Sequence, residues 1–431
     1  MAETEWHYPT IERGSKLGIH SIRQDGVTGF AQSMVDGGGA FSVIKAVDDL
    51  GWLLRIKTIS PETITVARLV SGLEGCGHVE KPETDLNKMA DALLKLITDK
   101  INSAPSLRDR VDYWEVVNEP DPPGTVGYSR LSELMIKCMD RAEQAGLKLA
   151  LFSLCAGTPE WDEMEAMVAT GVFARARQGG HILTLHEGIF SPHDPIDLWW
   201  GHQIPGSPVV EGAGALCFRY RYLYHLLQQR DEVVPLLVSE WCGYDQGPLS
   251  PQQVVERVRW YDERARQDYW VFAFCPFTLG SVPPWGSHDY EFAYPAIVEY
   301  MLSIKDEENA LPKDAPVKPK PDEDEDETAC RGLPRAQYKR VYVLLPPDAG
   351  SAWAEAAIGA TWDERRFTVG GSADDAGIGD LDDKAVVAVN PAQWGDDLKG
   401  FYETYYPGVT YVPLMASTPQ QLAERLRGLA V

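Results

Sequence analysis

Two glutamates draw the eye through their neighbours. Val117-Asn118-Glu119-Pro120 closes one apolar run, and Ser239-Glu240-Trp241 closes another 121 positions later. A carboxyl group at the end of a buried strand is placed for proton transfer or nucleophilic attack. Two of them at one mouth meet the requirement of glycoside hydrolysis. One protonates the leaving oxygen, and the other attacks or stabilises the anomeric carbon. A separation of about 5–5.5 Å gives retention of configuration, and about 6.5–9.5 Å gives inversion.

The elements that must hold such a pair are legible as an alternation. Apolar runs at 17–22, 40–47, 63–70, 113–120, 147–155, 181–188, 235–241 and 269–277 read as strands. Stretches at 86–102, 128–146, 160–177, 216–229 and 250–266 carry apolar residues three and four apart and read as helices. The connection between the second and third runs is short, so a helix there is the least supported. Eight near-continuous apolar strands alternating with helices predict a (β/α)8 TIM barrel over residues 1–305. An open doubly wound sheet is the rival, and it would carry a glycine-rich phosphate turn after an early strand. The turn here, His20-Ser21-Ile22-Arg23-Gln24-Asp25-Gly26, is not one. In a barrel, reactive groups gather where strands end. Glu119 and Glu240 then lie at the ends of strands four and seven, nearly across one mouth.

Asn118-Glu119-Pro120 and Ser239-Glu240-Trp241 at those two strand ends resemble the large clan of retaining glycoside hydrolases on (β/α)8 barrels, which includes cellulases, mannanases, xylanases and β-glycosidases. The resemblance covers roughly residues 14–300. It implies Glu119 as acid/base, Glu240 as nucleophile, Asn118 as donor to the sugar 2-hydroxyl and His186 as hydrogen-bond partner of the nucleophile. It also implies a platform tryptophan after strand eight, where Trp285 stands. The clan usually places an arginine near the nucleophile from strand two. Here Arg68 ends strand three, a departure that leaves a structural ion pair as its other reading.

Other polar residues interrupt the apolar runs. His20 and Lys45, on the first two strands, are candidate substrate-binding groups, although a buried lysine also calls for a carboxylate partner. Glu187 follows His186, and strand alternation allows it to face away from the mouth. Flat rings can stack on sugars, so Trp241, Trp285 and the pair Trp199 and Trp200 are candidate platforms. The tryptophan pair sits in a long loop at 189–215, and loops longer than about 12–15 residues in compact domains tend to be functional. A lone tryptophan is more often a core residue, and that reading stands beside each.

Lys plus Arg number 40 against 64 for Asp plus Glu, a formal net charge of −24. A phosphate-binding surface needs a basic footprint, so nucleic acid is not an expected partner, and neither is an anionic membrane. No run of about 18 apolar residues is present, and the first residues lack the basic and apolar regions of a signal peptide. The expected setting is cytoplasmic, with secretion requiring a trimmed leader or a non-standard route. The seven cysteines are scattered without metal-ligand spacing, and neither a metal nor another cofactor is expected.

Residues 306–334 are rich in proline and acid and read as a linker. Residues 335–431 repeat the strand–helix alternation on a small scale and predict a small three-layer α/β domain, which is a candidate surface for a protein partner. The expected function is a retaining glycoside hydrolase acting on a β-linked glycan or oligosaccharide. The alternative is an inactive carbohydrate-binding or scaffold protein on the same barrel, distinguished by whether a side chain such as Trp241 plugs the mouth.

Overall fold

Eight short strands form one parallel sheet in chain order: β1 (Ile19–Ser21), β2 (Val43–Val47), β3 (Ile64–Arg68), β4 (Tyr113–Glu115), β5 (Leu149–Leu154), β6 (Ile182–Gly188), β7 (Leu236–Cys242) and β8 (Val271–Pro276). β1 meets β8 through bridges Leu17–Phe274 and Ser21–Leu279, which close the sheet into a barrel. The Gly18 amide donates to the Phe274 carbonyl at 2.8 Å, and the Leu279 amide to the His20 carbonyl at 2.9 Å. A side chain at Gly18 would meet the Val43 carbonyl at 2.5 Å, so only glycine fits this seam. This computed structural model describes residues 9–312, apart from 24–25, 189–194, 196, 198–199, 244–248, 281–282 and 284. It also describes residues 340–429, apart from 362–366, 372, 374–377, 379–382 and 395–397.

The helices are α1 (Val27–Asp36), α2 (Leu53–Ile59), α3 (Leu86–Ser103), α4 (Gly124–Gln144), α5 (Trp161–Ala169), α6 (Val172–Gly179), α7 (Tyr220–Gln229), α8 (Pro251–Ala265) and α9 (Tyr294–Ser303). The single helix expected over 160–177 is two, because Gly171 adopts φ 78°, a left-handed conformation that ends one helix and admits the next. The short connection after β2 does carry a helix. α1 and α9 were not anticipated.

Alternation along the strands sorts the side chains into layers. Val43, Val66, Ala150, Ile182, Leu237 and Ala273 fill the lower barrel as one buried cluster. Their outward neighbours pack against the helices in a second, larger cluster that includes Trp114, Leu151, Leu236, Val238, Trp241 and Phe274. His20, Lys45, Glu115, His186 and Glu240 face inward above the lower apolar layer, toward the carboxyl ends.

The expected linker is corrected at its start. Residues 306–312 are tied to the barrel: the Gly14 amide donates to the Glu307 carbonyl, and the buried Asn309 side chain donates to the carbonyls of Ile11 and Gly14. The rest of it, 313–334, lies outside the described residues. The chain divides into two compact units, residues 1–317 and 318–431.

The second unit has a four-stranded parallel sheet in the order β10 (Phe367–Gly370), β9 (Arg340–Leu344), β11 (Lys384–Val389), β12 (Thr410–Leu414). α10 (Ser351–Thr361) and α12 (Pro419–Arg427) cover the face carrying Val341, Val343, Ala385 and Val387. α11 (Leu398–Tyr405) covers the face carrying Tyr342, Leu344, Val386 and Ala388. This is the expected three-layer arrangement, with β10 as its edge strand.

Candidate active site

The site is set by where alternation holds and where it slips. His186 is the register partner of Glu240 across β6 and β7, and Glu187 that of Trp241. The register between these strands slips between Leu185 and His186, because Ser239 is an extra residue on β7. Such a bulge resets alternation. Ser239 and Glu240 consequently both face into the barrel. A second slip, between Leu151 and Leu154 of β5, turns Ser153 inward as well, with Phe152 and Ser153 at φ 76° and 41°.

Glu240 is 9% exposed and opens on a cavity of about 440 Å3. His20, Val47, Arg68, Asn118, Glu119, Phe277, Trp285 and His288 also line this cavity. All four of its charged or ring partners address one oxygen. Arg68 Nη1 lies 2.9 Å from Glu240 Oε1, Lys45 Nζ 3.1 Å, His20 Nε2 3.4 Å and His186 Nε2 3.7 Å. Oε2 has no such contact among the described residues. Burial pushes this carboxyl group upward, but His186, Lys45 and the His20 hydrogen bond outweigh it and hold it well below the ordinary range.

Glu119 sits beyond the end of β4 with its side chain 46% exposed. Its φ is 49°, in the left-handed region, a strained backbone for a non-glycine residue and one that clusters at functional sites. The turn is anchored by the Glu119 amide, which donates to the Ser153 carbonyl at 2.9 Å. Glu119 Oε1 lies 3.0 Å from His186 Nδ1, and the Cys155 thiol donates to it at 3.7 Å. Oε2 again has no partner among the described residues. The hydrogen bond from His186 is the chief cause that lowers the Glu119 carboxyl below its ordinary value, with burial acting against it. Burial first, then the charge of Glu119, raises the Cys155 thiol to about 11, so it is a neutral donor.

Around the pair, Arg68 Nη1 donates to Asn118 Oδ1 at 2.7 Å, which fixes the acceptor end of that amide. Arg68 Nε lies 3.3 Å from Glu74 Oε2. His20 Nδ1 contacts Thr278 Oγ1 at 3.0 Å, and burial lowers this imidazole to about 4. His20 is therefore neutral at neutral pH and donates from Nε2 in one tautomer. Trp285, 43% exposed, stands edge-on to Phe277 with ring centroids 5.3 Å apart.

Several expectations need correction. His186 is nearer Glu119 than Glu240, so it spans both carboxylates rather than serving Glu240 alone. Lys45 is fully buried and does not line the cavity; it pairs with Glu115 at 2.7 Å and Glu240 at 3.1 Å, so it touches carboxylates and not a ligand. Trp241 is fully buried between strands and helices, 5.1 Å from Tyr261 and 5.6 Å from Phe274. Outward alternation from Glu240 excludes it as a platform and as a plug. Trp200 lines a different groove, with Arg221, His225 and Arg264 of the outer helices, and its ring carries the Arg264 guanidinium at 4.6 Å. Trp200 is thus placed against the outer helices and not among the residues that line the mouth. Trp199 lies outside the described residues. Glu187 does face away: it accepts from the amides of Phe218 and Tyr220 and from the Tyr261 hydroxyl.

Glu115 was missed. It stands among apolar residues on β4 with no motif around it, and the only sequence signal was the need of buried Lys45 for a carboxylate. Among the described residues, no group of three or more His, Cys, Asp or Glu side chains is arranged to hold a metal ion. No helix of the described residues is long and apolar enough to cross a membrane.

No protein-family profile matches the sequence, and no curated protein matches it. Solved structures similar to it are glycoside hydrolases. One is a family 39 glycoside hydrolase from the gut symbiont Bacteroides cellulosilyticus WH2, at 15% identity and TM-score 0.45, covering 68% of this chain and 65% of that one. A Bacteroidetes-affiliated GH5 cellulase aligns at 13% identity and TM-score 0.39, over 67% of this chain and 94% of that one. A GH5-4 broad-specificity endoglucanase from Ruminococcus champanellensis, with bound cellotriose, aligns at 11% identity and TM-score 0.37, over 69% and 100%. The chain thus spans just under two thirds of the length of the family 39 enzyme.

Proposed function

We propose that the barrel is a retaining glycoside hydrolase acting on a β-linked glycan or oligosaccharide. One observation carries this reading: two carboxylates line one open cavity, a single imidazole spans them, and each has one oxygen engaged and the other unengaged among the described residues. In the first step Glu240 Oε2 attacks the anomeric carbon while the proton on Glu119 passes to the leaving oxygen, whose bond to that carbon breaks. In the second, Glu119 takes a proton from water as that water attacks the anomeric carbon and releases Glu240. Arg68 and Lys45 keep Glu240 ionised for the attack. Asn118, its oxygen held by Arg68, has its amide nitrogen left to donate to a substrate hydroxyl, and Trp285 offers an exposed ring face. Retention is part of the proposal and corresponds to a pair separated by about 5–5.5 Å.

The test is hydrolysis of a panel of aryl β-glycosides and β-linked polysaccharides by the wild type and Glu240→Gln, with the anomer of the first product followed by NMR. Turnover that vanishes in the variant, with a β product released first, upholds the reading. An α product points to inversion. Silence across the panel, together with measurable sugar binding, moves the protein to the carbohydrate-binding alternative, which the open cavity and the outward Trp241 do not favour.

A further inference from the structure

Glu115 takes no part in the double displacement. It is 3% exposed and does not line the cavity. Yet two of the sheet's irregularities serve it. The bulge on β5 turns the Ser153 hydroxyl onto Glu115 Oε1, and Ser239, the extra residue of β7, donates to the same oxygen at 2.7 Å. Its other oxygen, Oε2, lies 2.7 Å from Lys45 Nζ. The same Nζ lies 3.1 Å from Glu240 Oε1 and 3.4 Å from Ser239 Oγ. One buried ammonium is thus shared by two carboxylates, and the nearer carboxylate is the one without access to the cavity.

We infer that Glu115 is a positioning residue for Glu240: a fixed counter-charge that holds Lys45 on the Oε1 side and tempers its pull, so that Oε2 stays open and basic enough to attack. The inference rests on the double-displacement reading. The groups facing Glu240 are His20 from β1, Lys45 from β2, Arg68 from β3, Glu119 beyond β4 and His186 from β6, with the thiol of Cys275 on β8 also within electrostatic reach. Among them Lys45 is the one that Glu115 contacts directly. Loss of the Glu115 charge leaves the field of Lys45 on Glu240 uncompensated, which makes that carboxylate a weaker base. Loss of Lys45 does the opposite.

The test compares wild type, Glu115→Gln, Lys45→Met and the double variant. Each is read by kcat and KM on the best substrate of the panel. Each is also read by a carbon-13 NMR titration of the Glu240 carboxyl group, assigned by its loss in Glu240→Gln. Glu115→Gln is expected to lower kcat by roughly tenfold with KM unchanged, since it keeps an acceptor for the two serines. Lys45→Met is expected to raise the titration midpoint of Glu240, and adding Glu115→Gln to it to bring the midpoint down again. The double variant leaves no unpaired charge in the barrel, so it is the one to read if Lys45→Met does not fold, and its kcat is expected to exceed that of Glu115→Gln. An unchanged kcat in Glu115→Gln, or a double variant no faster than it, overturns the inference. Midpoints that move as stated in a protein that hydrolyses nothing in the panel would uphold the coupling and remove the glycosidase reading instead.

Discussion

The inner and outer faces of β6 and β7 differ by a single step along the chain. His186 and Glu240 are register partners facing the mouth, and the next pair, Glu187 and Trp241, faces the helices. Each row has one glutamate and one large ring. On the inner face, burial pushes the Glu240 carboxyl up, but His186 and Lys45 hold it far below its ordinary value. On the outer face, burial pushes Glu187 up to about 7, and the hydrogen bonds of a tyrosine hydroxyl and backbone amides do not offset it. The inner row has charge and an opening to solvent. The outer row joins β6 to the start of α7 and, through Tyr261, to α8. Chemistry and architecture are separated here by the pleat alone.

Glu240→Gln should break the inner row without touching the outer one. Turnover is expected to fall by roughly 10^4-fold or more, while the melting temperature stays within a few degrees; an aryl-glycoside assay and a thermal melt read both. Trp241→Ala should do the reverse. It removes a fully buried indole and is expected to cost about 3–5 kcal/mol by chemical denaturation, with turnover per folded molecule largely kept. A loss of turnover without a loss of stability would erase the distinction between the rows.

Glu187→Gln sharpens the comparison through pH. A carboxyl group whose folded value of about 7 lies above its ordinary one stabilises the fold fully at low pH. That contribution is lost as pH rises from the ordinary carboxylate range through about 7, on the order of 3 kcal/mol. Stability of the wild type measured between those limits should carry this slope, and the non-titrating variant should lack it. At the inner row the sign is reversed: His186 favours the ionised form of Glu119. His186→Ala is therefore expected to move the alkaline limb of kcat/KM up by about one pH unit, because Glu119 keeps its proton to higher pH. The smallest expected effect belongs to Trp285→Ala, a severalfold rise in KM at unchanged kcat, worth about 1 kcal/mol.

The eight strands were legible because each is a short apolar run bounded by polar residues, and a buried parallel sheet imposes that pattern. The two glutamates were legible because strand ends in a barrel are where chemistry collects. What escaped has a common cause. Ser153, Ser239 and Glu115 depend on bulges, and a bulge is a register relation between two strands that neither strand shows alone. Trp241 and Trp200 were misplaced for a related reason: composition marks a ring as available, while the face of the strand or the path of a loop decides what it meets. Lys45 was half legible, since its burial announced a carboxylate partner without saying that there are two.

The seam that closes the barrel joins the first strand to residues about 258 positions further along, with the His20 carbonyl accepting from the Leu279 amide and the Ser21 hydroxyl donating to the Leu279 carbonyl. Lys16 adds a clasp below, its ammonium donating to the carbonyls of Ala265 at 3.1 Å and Asp268 at 2.9 Å. Contacts of such sequence separation are slow to form. During synthesis β1 emerges long before its second neighbour exists, and every intermediate short of β8 presents two unpaired parallel edges. The residues that arrive last complete the ring on which the mouth depends. Slow translation therefore lengthens the time for which the first strand waits with one edge unpaired.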